Sequence, residues 1–276
     1  MPEPSIEYRD VTTSEPLGQG DVLEAADDGV QMWQRHLFII TADCDFAHRK
    51  HQGRVTCLPL LSANEYHSEM QLPGIRERLA EKPITEVINI IQRSKGLQTS
   101  PMRIREWVSE ADTVEIIEQL NLSGKDADDA KIAIDSIRLI YSDATDLNSA
   151  IGALIDAQTT GPNPPKREKA IQRVMSPIRS AYSNPPGDAL FVSSFSRDHF
   201  EGYFAYLRHL EQVWQQDIAT GPTRSPIKYR RISKLQDRFA HSLIQRFAQV
   251  FTAIGLPDEY EQVRDMHADM IGEEFQ

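Results

Sequence analysis

Gly20-Asp21-Val22-Leu23-Glu24-Ala25, Leu37-Phe38-Ile39-Ile40-Thr41 and Arg54-Val55-Thr56-Cys57-Leu58-Pro59-Leu60 are three short, largely apolar runs. Such runs fit a pleated, half-buried surface, and Asp27-Asp28-Gly29 supplies a turn between the first and the second, so residues 20 to 61 read as strands. The four apolar residues at 37 to 40 show no polar alternation, which suits a strand covered on both faces; a buried helical turn fits the same periodicity. Strand character returns far downstream, in Asp188-Ala189-Leu190-Phe191-Val192-Ser193-Ser194-Phe195 and in the aromatic stretch from Gly202 to Val213. Strands at both ends of a chain need partners. The expected architecture is therefore α+β: one small β-barrel or sheet, interrupted by a helical insertion and sealed by a C-terminal helix. Its expected parts are 1–62 and 186–232 for the barrel, 63–185 for the insertion, and 233–276 for the helix that packs on the barrel.

The insertion is read from spacing. Val87, Ile88 and Ile91, then Val114, Ile117 and Leu120, then Ile134, Ile137, Leu139 and Tyr141 recur at helical intervals. Pro83 and Pro101 read as first-turn prolines, Ser123-Gly124-Lys125-Asp126 as a loop entering a helix, and Gly161-Pro162-Asn163-Pro164-Pro165 as a helix end. That last segment and Asn184-Pro185-Pro186-Gly187 are the linker candidates. Residues 204 to 218 stay open between strand and helix, because Phe204, Leu207, Leu210 and Trp214 also keep a helical interval. From Ser233 to about Ile254, Leu235, Phe239, Leu243, Phe247, Val250, Phe251 and Ile254 form one apolar stripe, stopped by Gly255-Leu256-Pro257.

With 276 residues, 40% hydrophobic and 26% charged, the chain can bury a core without staples. Two cysteines, Cys44 and Cys57, are too few for a disulfide framework and lack zinc-knuckle spacing, which fits a reducing compartment. Met1-Pro2-Glu3-Pro4-Ser5 has no signal-peptide character and no apolar run reaches membrane-spanning length, so a cytoplasmic protein without membrane contact is expected. Thirty basic against forty-one acidic residues give a net charge of -11, which repels a nucleic-acid backbone unless basic residues gather locally. The basic clusters Arg35-His36, His48-Arg49-Lys50-His51 and Lys228-Tyr229-Arg230-Arg231 read as solvated surface. Ser193 and Ser194 lack a hydrolase elbow, no phosphate-cradling loop is present, and the scattered His199, His209, His241 and His267 read as surface or core residues. Asp265, His267 and Asp269 do not share a helix face. Asp126, Asp128 and Asp129 suit a helix start. No cofactor and no metal site is expected.

Gly20-Asp21-Val22, Arg35 ahead of the apolar run that ends at Thr41, and Val55-Thr56-Cys57-Leu58-Pro59-Leu60 together resemble the small SH3-like barrel of the MazF/PemK toxin family. The resemblance covers less than half of the chain. It implies that Tyr229-Arg230-Arg231-Ile232 supplies a closing strand, and that Arg35 stabilises a scissile phosphate in RNA with Thr41 as a neighbouring hydroxyl. His36 stands where that family has proline. Ile39-Ile40-Thr41-Ala42-Asp43-Cys44-Asp45 and the stretch from Arg230 through Arg246-Phe247-Ala248 to Gly255-Leu256-Pro257 are also similar to uncharacterised prokaryotic proteins of mobile defence loci. That likeness implies an accessory or regulatory role.

Thr41 to His51 is the densest chemical neighbourhood, placed where a strand ends at a sheet rim. Three readings compete there. Asp43, Asp45 and His48, with Cys44 or His51, offer metal-ligand types in no recognised spacing. Cys44 becomes a nucleophile if His48 or His51 activates it. The simplest reading has Asp43 or Asp45 closing the turn, Cys44 buried as a small apolar side chain, and the basic residues solvated. In its functional form, Asp43, Cys44, Asp45, His48, Arg49 and Lys50 make a binding rim for a partner protein or an anion. The function expected from all of this is a non-enzymatic binding or regulatory component of a bacterial defence or stress system. The alternative is an RNA endonuclease using Arg35 and Thr41. The oligomeric state is left open.

Overall fold

The structure is a computed structural model and describes residues 7–161, 164–183, 187–223 and 226–252, together with 262, 263 and 266. Pro162 and Asn163 of the first linker, Asn184 to Pro186 of the second, the Gly255-Leu256-Pro257 stop and the Asp265, His267, Asp269 group lie outside the described residues. The fold is α+β, with a curled, mainly antiparallel half-barrel sheet. Its strands are β1 (Tyr8–Arg9), β2 (Asp21–Ala25), β3 (His36–Ile39), β4 (Arg54–Ser62), β5 (Ala189–Val192), β6 (Tyr203–Tyr206), β7 (Glu211–Trp214), β8 (Ile218–Ala219) and β9 (Tyr229–Leu235). They run in the order β1-β9-β2-β3-β4-β6-β5, with β7 also pairing β4 and β8 also pairing β9. The two sequence-distant groups of strands thus meet in one sheet: β2 sits between β3 and β9, and Arg54–Cys57 of β4 pair with Trp214–Glu211 of β7.

The chain divides into two compact units, one made of 1–60, 187–200 and 205–276, the other of 61–186 and 201–204. In the first unit Leu23 and Ala25 of β2, Leu37 and Ile39 of β3, and Val55 and Cys57 of β4 fill one core. These positions alternate along their strands, as a single buried face requires. The register slips between Val22 and Leu23, which pair with Ser233 and Arg231 respectively, so Ile232 is one residue too many on β9. That bulge sends Arg231 and Ser233, two positions apart, to opposite faces of the sheet. Helix α1 (Met32–Arg35) leads into β3, α2 (Asp43–Ala47) follows it, and α10 (Asp237–Thr252) buries Ala240, Leu243 and Val250. Gly20, at φ 89°, lies under α10, where an added Cβ would stand 3.4 Å from the Ala240 Cβ.

The second unit is helical. Helix α3 (Ala63–Tyr66) continues through a π-helical turn, His67–Gln71, into α4 (Leu72–Lys95), followed by α5 (Pro101–Glu110), α6 (Thr113–Gln119), α7 (Gly124–Ile140), α8 (Leu147–Gln158) and α9 (Arg167–Ser183). Ile84, Val87, Ile91, Ile134, Ile137 and Leu154 belong to its core. Side-chain caps set the starts: Ser62 and Glu65 form a reciprocal capping box on α3, and Ser100, Asp112 and Asp146 cap α5, α6 and α8. Asp126 in the first turn of α7 pairs with Arg93 at 2.5 Å.

Three sequence expectations are corrected, and one open reading is decided. Pro101 opens α5, but Pro83 lies inside α4, whose first turn is taken by Pro73. The stretch 204 to 218, left between strand and helix with its aromatics favouring a strand, carries the strands β6 and β7, because the sheet supplies partners that a helical interval ignores. Ser233-Lys234-Leu235 complete β9, so the last helix begins at Asp237. Cys44 is exposed, not buried, because Asp43–Ala47 forms a helical turn that turns it outward. Among the described residues no helix is long and apolar enough to cross a membrane.

Candidate functional site

The first unit carries a cleft of about 1130 Å³ whose walls are the Thr13–Gly18 loop, the turn from Arg49 to Gly53, and Asp43, Gln215, Thr220 and Lys234. One wall is fixed from beneath. The Arg231 guanidinium, its side chain 1% exposed, donates to the Thr12, Glu15 and Pro16 carbonyls at 2.8, 3.0 and 3.0 Å and to Asp21 Oδ2 at 3.3 Å. Asp21 Oδ2 also accepts from Gly18 N at 2.9 Å. Burial pushes the Asp21 carboxyl above its ordinary range, while the Gly18 N–H and the Arg231 charge pull the other way. On the same loop, the Arg9 guanidinium and the Thr12 N–H hold Glu15 down to about 2.

The rim loop meets this wall at a glycine. Asp43 Oδ1 accepts from Gln19 N at 2.7 Å, and Gln19 Nε2 donates to the Ile40 carbonyl at 2.9 Å. A Cβ on Gly18 would lie 2.7 Å from Asp43 Oδ1 and 3.4 Å from Lys234 Nζ, so only glycine lets the carboxylate and the ammonium flank the loop. Across the cleft His51 is held at both ring nitrogens, 3.1 Å from the Asp45 carbonyl oxygen and 2.7 Å from Gln215 Oε1. Arg49 and Gln52 adopt left-handed backbone at φ 54° and 50°. Strain of that kind costs about 1–3 kcal/mol per residue and tends to cluster at ligand clamps.

Of the expected rim, Asp43 and Arg49 line the cleft, and Asp45 acts through its carbonyl on His51; Cys44, His48 and Lys50 are exposed and do not line it. Arg35 and Thr41 flank opposite ends of β3. Thr41 is buried, and its hydroxyl accepts from Thr56 N at 2.7 Å, tying the end of β3 to β4. Among the described residues, Asp43, Cys44, Asp45, His48 and His51 do not bring three ligand atoms together; Glu24, His36 and His199 do, with all ligand atoms within 4.8 Å of one another. Lys234, Gln215 and Gly18 also belong to the cleft and were not legible as site residues, since a distant strand and two turns deliver them.

The Glu24 group sits on the other face of the sheet from the core. Glu24 and His36 are directly paired across β2 and β3, one position out of step with the core residues Leu23 and Leu37. His199 arrives on a tight turn in which Phe195 N donates to the His199 carbonyl at 3.2 Å and His199 N to the Ser196 carbonyl at 3.3 Å. Ser196 Oγ lies 2.6 Å from His199 Nδ1, leaving Nε2 to face Glu24 Oε1 at 3.2 Å. Phe195 stacks on His199 and tilts against His36, and its carbonyl accepts from the Ser233 hydroxyl. Burial first, then the neighbouring His199 and Arg35, brings His36 down to about 4.

No family model, curated protein or solved structure matches the chain.

Proposed function

We propose that the protein is a non-enzymatic binding component whose first unit, read as an SH3-like barrel of the MazF/PemK kind, takes a segment of a partner protein into the cleft, within a bacterial defence or stress system. The observation that carries this reading is the cleft itself. Two preset walls, one pinned by Arg231 and one holding strained backbone at Arg49 and Gln52, enclose groups of both charge signs. Ordering such walls before a ligand arrives lowers the entropic cost of binding. Asp43, Glu15, Arg49 and Lys234 offer a polypeptide, which carries both donors and acceptors, more partners than they offer a polyanion.

The nuclease alternative draws less support. Its two residues flank opposite ends of β3, and the Thr41 hydroxyl is engaged by Thr56. A photo-crosslinking residue at Gln52, compared with one at the exposed Phe200, tests the binding reading in cells that carry the native locus. A protein adduct formed from position 52, absent from position 200 and lost with Lys234→Glu, is the expected result. Cleavage of a mixed RNA pool by the purified protein, abolished by Arg35→Ala, would overturn it in favour of the nuclease.

A further inference from the structure

We propose that Glu24, His36 and His199 form a binding site for one divalent transition cation, with zinc the best match to two imidazoles and one carboxylate. This goes beyond the cleft: the group lies on the other face of the sheet and shares no residue with the cleft walls. Zinc takes imidazole nitrogen at about 2.0–2.1 Å and carboxylate oxygen at about 2.0–2.2 Å, so tetrahedral ligand atoms stand about 3.3 Å apart. His199 Nε2 and His36 Nε2 lie 3.2 and 3.7 Å from Glu24 Oε1. Closing onto a cation therefore needs shifts of well under an ångström at the two contacts to Glu24.

The support around the ligands is of the kind metal sites use. Histidine ligands are oriented through the ring nitrogen that does not bind the metal. Ser196 holds His199 in that way at 2.6 Å. The β2–β3 register fixes Glu24 opposite His36, and the fully buried Phe195 ring packs on both imidazoles. Glu24 keeps a side chain 37% exposed, so a fourth position opens to solvent, as in sites that hold a water or an exchangeable ligand. Arg35, which precedes His36, opposes a cation by its charge, so a modest affinity is expected.

The plain alternative is a hydrogen-bonded group in which Glu24 accepts from an imidazole N–H with no ion involved. Tag-free protein, freed of metal with a chelator, is titrated with zinc chloride by calorimetry, and the loaded protein is measured by zinc K-edge absorption spectroscopy. One zinc per chain with scattering from two imidazoles is expected. Glu24→Gln and His199→Ala should each weaken binding about tenfold or more, and Ser196→Ala about tenfold. Circular dichroism of the zinc-free variants shows whether they are folded; where they are not, the wild-type absorption spectrum decides. No stoichiometric zinc, fewer than two imidazoles, or affinity unchanged in folded Glu24→Gln and His199→Ala would overturn the proposal.

Discussion

Arg231 leaves β9 on the core side of the sheet and spends its guanidinium on three carbonyls of the 12–16 loop and on Asp21. Removing it strands a buried carboxylate and three acceptors together, and breaking a buried pair from one side costs about 3–5 kcal/mol. Arg231→Met should therefore lower the urea unfolding free energy by about that amount. Arg231→Met combined with Asp21→Asn should recover part of the loss, because the second change removes the uncompensated charge. A full loss in the double variant would mean that the carbonyl contacts, not the ion pair, dominate. Residue by residue, legibility followed locality. Asp43 and Arg49 were readable because a polar loop after an apolar strand marks a rim. Lys234 was not, because its stretch continued the helical stripe, and Glu24 was not, because its neighbours His36 and His199 are chosen by register and by a distant turn.

At the scale of elements, interval and punctuation carried most of the reading, and they failed where tertiary partners overrode them. Pro101 marked the start of α5, and the structure adds Ser100 as its cap. Pro83 carried the same first-turn preference but sits in mid-helix, because Pro73 and the π-helical turn before it begin α4 a full ten residues earlier. A proline there removes one backbone donor and crowds the carbonyl four residues back, that of Leu79. The strand β9 shows the converse case: its buried positions Tyr229, Arg231, Ser233 and Leu235 alternate, but Leu235 also matched the stripe of α10. If α4 tolerates Pro83 only at a cost, Pro83→Ala should raise the thermal midpoint of the helical unit, by a stability gain of about 1–3 kcal/mol. An unchanged or lowered midpoint would show that α4 carries Pro83 without the expected cost.

For the molecule as a whole, the return of strand character after a long helical block was enough to expect one sheet interrupted by helices, since strands without partners are liabilities. What composition could not show is that Glu201–Phe204, part of a strand region, belongs by contact to the helical unit. Phe204 stacks on Tyr66 at 4.0 Å and meets His67 and Tyr182 edge-on, so an aromatic core forms around a histidine. His67 is 2% exposed, its Nε2 lies 3.0 Å from Tyr182 Oη, and burial pushes its pKa below the ordinary 6.5. In the folded unit the ring therefore resists a proton that the unfolded chain accepts. Stability present above about pH 6.5 is lost as the pH falls towards the lowered value. Amide hydrogen exchange in α4 and α7, corrected for intrinsic rates, should show protection falling as the pH drops below about 6.5 in the wild type. His67→Gln should flatten that slope, and Phe204→Ala should reduce protection at every pH by about 3–5 kcal/mol and also lessen the slope, because the Phe204 ring is part of what buries His67. An equal slope in His67→Gln would assign the acid sensitivity to other groups and leave His67 a purely packing residue.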